Sequence, residues 1–259
     1  MSFVKYIDYI HNPLGAGTAV MTQRGLYEKL YNDKWDALLL KENGNIAYLQ
    51  YKKDEDYYIH FKIPSEVIDK FYYDIVIRFY LLPESATYKM DTNLNNYDVQ
   101  FYSNDPSFVF SFAYAFNKHD AFVDDLKSKI SKVALTQEAT VRNPQSQLGY
   151  VKAFYFAFLQ MKRLMLFSKS NWETAKTYSK SVWNSTVTHS DDILEAIREA
   201  KAVQKKISKA RAKRSKVRSA TNIQKFKVVS PNPKNYGHLD KSGLIPTIDK
   251  PSKKKQNLR

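Results

Sequence analysis

Apolar and polar positions alternate in twos along the first half of the chain and recur in threes and fours along the second. In "YYIHFKI", Tyr57, Ile59, Phe61 and Ile63 fall on one side of an extended strand, and Tyr58, His60 and Lys62 on the other. Pro64 ends that run. "FYYDIVIRFYLL" (71–82) sets Ile75, Ile77 and Phe79 on one side, and "YDVQFYS" (97–103) reads as a shorter strand. Upstream, two apolar runs in "DALLLKENGNIAYLQYKK" flank Asn43-Gly44, a dipeptide that tolerates the positive φ of a two-residue hairpin turn. Together these runs predict an antiparallel meander with one buried face.

Downstream the period changes. Residues 108–116 satisfy both periods, since aromatics at 108, 110, 112, 114 and 116 alternate while Phe108, Phe112 and Phe116 share a helical face. Asp105 followed by Pro106 supplies an N-cap and first-turn pair, which favours the helix. "DAFVDDLKSKISKVAL" is amphipathic, and "QLGYVKAFYFAFLQMKRLMLFSKS" is apolar nearly all round, which predicts a central buried helix. "WETAKTYSKSVW" reads as a continuation of the helical layer. From Ser190, "SDDILEAIREAKAVQKKISKARAKRSKV" is the clearest helix, acidic in its first turn and basic at its end, as the helix dipole favours. Ile193, Ala196, Ala200, Val203, Ile207 and Ala210 form a narrow seam suited to one partner helix.

The expected fold class is therefore α+β: an N-terminal antiparallel β-meander packed with a C-terminal helical layer, followed by a long basic helix and an extended arm. In segments, 1–34 is an N-terminal extended or loop region with a short helical turn at "GLYEKLYNDKW". Residues 35–189 form the body, β-rich over 35–103 and helical over 104–189. Residues 190–220 are the basic helix and 221–259 an extended or disordered basic arm.

Charge sharpens that division. Residues 201–259 carry 18 Lys or Arg against two acids, whereas residues 1–200 carry 23 against 24, so the whole excess of +15 lies in the last segment. After Phe226 the chain has four prolines and no periodicity, too little apolar surface to offset its ordering entropy. Small hydrophobic beads remain there, and Phe226, Val228, Leu244, Ile245 and Ile248 are candidates for docking into grooves on a neighbour.

Candidate chemistry is sparse. The absence of cysteine removes disulfides, thiolate metal sites and thiol nucleophiles. The five histidines show no metal-ligand spacing, and "GAGTA" (15–19) lacks the Lys-Ser/Thr of a phosphate loop. The longest hydrophobic run, "AFYFAFL" (153–159), is far too short to cross a bilayer, and no secretory signal stands at the start, so a soluble chain without a membrane partner is expected. An enzyme is not expected; were there one, Asp74, Arg78 and His60 would be its candidate residues. No cofactor or metal is called for. The aromatic clusters sit in an electroneutral body and read as core and subunit interface rather than as base-stacking platforms.

The strongest functional signal is the cluster Lys205, Lys206, Lys209, Arg211, Lys213, Arg214, Lys216 and Arg218, eight cations in fifteen positions without an acid. Such a surface suits phosphates, whose neutralisation releases counterions without reading sequence, or an acidic protein partner. The stretches "YYIHFKIPSEVIDKFYYDIVIRFY", "NLNNYDVQFYSNDPSFVFSFAYAFNKHDAFVDDL" and "RNPQSQLGYVKAFYFAF", covering about 35–165, resemble structural proteins of tailed-bacteriophage virions. The resemblance is one of overall texture and implies a head–tail connector, neck or tail-associated subunit, in the virion and, during assembly, in the host cytoplasm. Its partners would be copies of itself, other virion proteins and, through the basic region, packaged DNA. The alternative is a free, non-specific nucleic-acid-binding protein using the same basic arm.

Overall fold

A computed structural model describes residues 2–11, 32–65, 68, 71–82, 92–140, 143–144, 146–149 and 151–226, with backbone alone for 8–11 and 214–226. It forms two units, Met1–Gln204 and Lys205–Arg259. The first opens with α1 (Phe3–His11), which buries Phe3, Tyr6 and Ile7 at helical spacing. A second helix, α2, spans 32–41 and buries Trp35 and Leu38. Four strands follow as an antiparallel meander: β1 (Tyr48–Lys53), β2 (Asp56–Pro64), β3 (Tyr72–Tyr80) and β4 (Asp98–Ser103). Then come α3 (Pro106–Ser111), α4 (Ala113–Lys118), a 3-10 segment Asp124–Lys129, α5 (Lys132–Thr136) and α6 (Lys152–Arg163). The two-residue β5 (Lys176–Thr177), α7 (Val182–Thr186) and α8 (Ser190–Phe226) complete the series. The class is α+β, with sheet order β4-β3-β2-β1-β5.

Several expectations are corrected. "DALLL" is the end of α2, not a strand, and residues 3–11 of the expected N-terminal loop are helical. Asn43 (φ 52) and Gly44 (φ 74) do take the positive φ that their types allow. They use it to terminate α2, with the Gly44 N–H donating to the Leu39 carbonyl at 2.8 Å, rather than to turn a hairpin. The fifth strand is instead β5, drawn from the stretch read as helical and paired parallel to β1 at Tyr51 and Lys52. "DAFVDDLKSKISKVAL" breaks into the 3-10 segment and α5. The 108–116 stretch is helical, split between α3 and α4, with Asp105 capping Ser107 N–H at 2.7 Å and Pro106 in the first turn. The helix of α8 runs through Phe226, so 221–226 is not extended. "GAGTA", Val228, Leu244, Ile245 and Ile248 lie outside the described residues.

The sheet is buried on both faces, not one. On the first, Ile59, Ile77 and Phe101 are in register across β2, β3 and β4. Phe101 packs against Phe3, Tyr6 and Phe154, their ring centroids 4.5–5.3 Å away. Phe154 belongs to α6, the expected central helix, which also buries Phe156, Ala157 and Met161. Gly149, just before α6, lies under the Phe112 ring, where a Cβ would come within 1.6 Å of a ring carbon. On the second face, Tyr58 stacks on Tyr178 at 4.0 Å and Trp183 of α7 covers His60 edge-on. All three tryptophans, Trp35, Trp172 and Trp183, are buried.

Candidate functional site

The basic region begins where α8 stops burying side chains. Ile193 and Ile197 of its first turns are buried, but every described side chain over 201–213 is exposed, with Val203 54% and Ile207 48% accessible. Helical periodicity then sorts the cations. Lys201, Lys205, Lys209 and Lys213 stand at intervals of four, about 6 Å apart along the axis, and Lys206 flanks them. These five occupy a sector of about 140°, with Val203, Ile207 and Ala210 on the opposite side and Arg211 beside that apolar seam. Among the described residues none of Lys205, Lys206, Lys209, Arg211 and Lys213 enters an ion pair. Arg214, Lys216, Arg218 and Phe226 are in the helical backbone of α8, their side chains outside the described set. A row of uncompensated ammonium groups on a helix can meet a phosphate backbone or an acidic surface along one side.

A second polar constellation lies in the sheet, at two of the three residues singled out for catalysis. Asp74 of β3 and His60 of β2 are each 1% exposed, and His60 Nε2 is 2.8 Å from Asp74 Oδ1. The same oxygen accepts from Lys62 Nζ at 2.7 Å, while Oδ2 accepts from Asn104 Nδ2 and the Thr188 backbone N–H, both at 2.9 Å. Burial alone pushes the Asp74 carboxyl up, but the bonds from His60, Lys62 and Thr188 outweigh it and hold its pKa below the ordinary carboxylate value. The carboxylate accepts, so Nε2 donates to it, and Nδ1 is buried without a hydrogen-bond partner. Lys62 Nζ also donates to the Thr186 carbonyl at 3.2 Å and Asn104 Nδ2 to the Thr188 carbonyl at 3.1 Å. The network therefore fastens 186–188, the segment leading into α8, to the second face of the sheet. At 1% exposure both residues are sealed from solvent.

Arg78 does not join them. It pairs with Asp56, Nη2 to Oδ2 at 2.6 Å, and donates to Gln100 at 3.0 Å, beside the stacked Tyr58 and Tyr178. Both phenols are raised above their usual pKa, chiefly by burial, and the Tyr178 hydroxyl donates to Asp125. Neither the network nor the Tyr pair is announced by sequence spacing, because each joins residues far apart in the chain, as Asp74 and Thr188 are.

Among the described residues there is no group of three or more His, Asp and Glu side chains placed to hold a metal ion, and no helix long and apolar enough to cross a membrane. No protein-family model, curated protein or solved structure matches the chain.

Proposed function

We propose that the chain is a non-enzymatic structural subunit of a tailed-phage particle, neck- or tail-associated or ring-forming. Its aromatic body packs against copies of itself, and its basic C-terminal helix and arm contact neighbouring subunits or packaged DNA. The observation that carries the reading is the row Lys201, Lys205, Lys209 and Lys213, exposed along α8. A balanced body with one strongly cationic helix suits a building block that touches polyanions at a single place. The virion setting rests on the resemblance of about 35–165 to phage structural proteins.

The test is fluorescence anisotropy of labelled duplex DNA with the full chain and with a variant in which Lys205, Lys206, Lys209 and Lys213 are replaced by glutamine, which preserves helix propensity. Salt-steep binding by the natural chain is expected. The slope of log K against log salt should fall by about 3–4 in the variant, roughly 0.9 for each phosphate that is no longer neutralised. No binding even at low salt would overturn the DNA contact and leave protein neighbours as the target. The same exposed row also favours a second reading, a free non-specific nucleic-acid binder. That protein would remain a monomer without DNA, whereas a subunit of an assembly self-associates.

A further inference from the structure

An exposed apolar groove of about 480 Å³ lies within the first unit, walled by α3, α5, the 137–140 segment and the first turns of α8. Val109, Phe110, Val133, Ala134 and Leu194 provide its apolar lining. Phe110 is 60% and Val133 57% exposed, among the largest apolar exposures of the body. Clustered exposure of this kind marks a contact surface rather than incidental greasiness.

The charges at the rim say what covers it. Three charged residues line the groove: Glu138, which accepts from the Ser146 hydroxyl, and Asp191 and Arg198, with Leu194 between them. Asp191 and Arg198 are two turns apart on α8, so they share a side of the helix and stand about 10 Å apart along it. Arg198 enters no ion pair among the described residues. Asp191 lies 3.7 Å from His189 Nδ1, beyond hydrogen-bond reach, and that nitrogen accepts the Asp191 backbone N–H at 3.1 Å. Among the described residues the Asp191 carboxylate accepts no hydrogen bond and Arg198 has no ion-pair partner, and the two stand three and four residues on either side of Leu194. Under a two-fold axis residue i meets j of the other copy, and j meets i. An axis passing close to Leu194 would bring Asp191 of each copy against Arg198 of the other and seal the two apolar grooves together.

We propose that this groove is a two-fold self-association surface, its occupant a second copy of the chain, with Asp191 and Arg198 as its reciprocal charge pair. The inference deepens the assembly-subunit reading, on which it rests for the expectation that copies meet. A foreign partner would need no such symmetry about Leu194.

The experiment is sedimentation velocity on the full chain over about 1–100 µM, natural and variant. Concentration-dependent dimerisation is expected in the natural chain. Asp191→Arg alone, or Arg198→Asp alone, sets like charges face to face and is expected to weaken the dimer at least about tenfold. The double swap restores opposite charges and should return the dissociation constant to within about threefold of natural. Because an arginine in the first turn of α8 opposes the helix dipole, Phe110→Asp provides an independent arm: its side chain is already 60% exposed, so it disrupts the contact with little effect on the fold. Dimerisation unchanged by Phe110→Asp and by either single swap, or a double swap that restores nothing, would overturn the inference while leaving self-assembly standing. A natural chain that stays monomeric throughout would overturn it and remove the support for an assembling subunit as well.

Discussion

Two helices of this molecule differ in what holds them. Between Lys152 and Arg163, α6 buries seven of its twelve residues and supplies Phe154 to an aromatic cluster with Phe101, Phe108 and Phe116. Over 201–213, α8 buries none of its described side chains. The first is helical because the core requires that shape; the second is helical because alanine, lysine, arginine and glutamine are good helix formers and the chain there contains no glycine or proline. The difference separates tertiary from local stabilisation inside one chain. It also places the functional candidate on the part whose surface composition is free of packing demands.

The core-held helix and its surroundings should yield the largest effects. Phe154→Ala removes a fully buried ring and is expected to cost about 3–5 kcal/mol, read as a lowered urea midpoint of the body. Asp74→Asn sets an amide against donors from His60, Lys62, Asn104 and Thr188 and should cost about 3 kcal/mol. That loss is also pH-dependent. Because the folded Asp74 pKa is depressed, its contribution is present above the unfolded carboxyl value and is lost as pH falls through the folded one. The gap in urea midpoint between the natural chain and Asp74→Asn should therefore be full at neutral pH and narrow below about pH 4; a gap that stayed constant into acid would refute the charged network. Gly149→Ala forces the Phe112 ring aside, with an expected loss of about 1–3 kcal/mol. At the weak end, Ile207→Ala should shift the body's stability by less than about 0.5 kcal/mol, since its side chain is half exposed and packs on nothing in the core. A large effect there would show α8 to be held by more than its own propensity.

Much of the architecture was legible because periodicity answers to burial. The strands β2, β3 and β4, the buried α6 and the long basic α8 all lie where the spacing of apolar residues puts them. What failed did so for identifiable reasons. Asn43-Gly44 signals positive φ, and both a hairpin and a helix end can use that conformation; the 3–4 spacing of Trp35 and Leu38 was the discriminating feature. The second face of the sheet looked solvated because Tyr58, His60 and Asp74 are polar by type. They are buried all the same, since each polar group but His60 Nδ1 finds a partner: Asp56 for Tyr58, Asp74 for His60, and for Asp74 donors that include the Thr188 N–H. A partner more than a hundred residues away has no local trace. The cationic cluster of α8 was plain from composition, but the alignment of Lys205, Lys209 and Lys213 with Lys201 along one side of the helix was not drawn from it. The groove around Leu194 joins three separate elements and has no signature along the chain.

The positions of the tryptophans carry a practical consequence. All three lie buried in the first unit, and α8 contains neither tryptophan nor tyrosine. Tryptophan fluorescence is thus blind to the basic helix and reports on the body alone, while far-ultraviolet circular dichroism also reads the 37 residues of α8. Tryptophan emission follows the core and ellipticity follows core and basic helix together, so in one unlabelled sample a loss of ellipticity that precedes the change in emission marks fraying of α8.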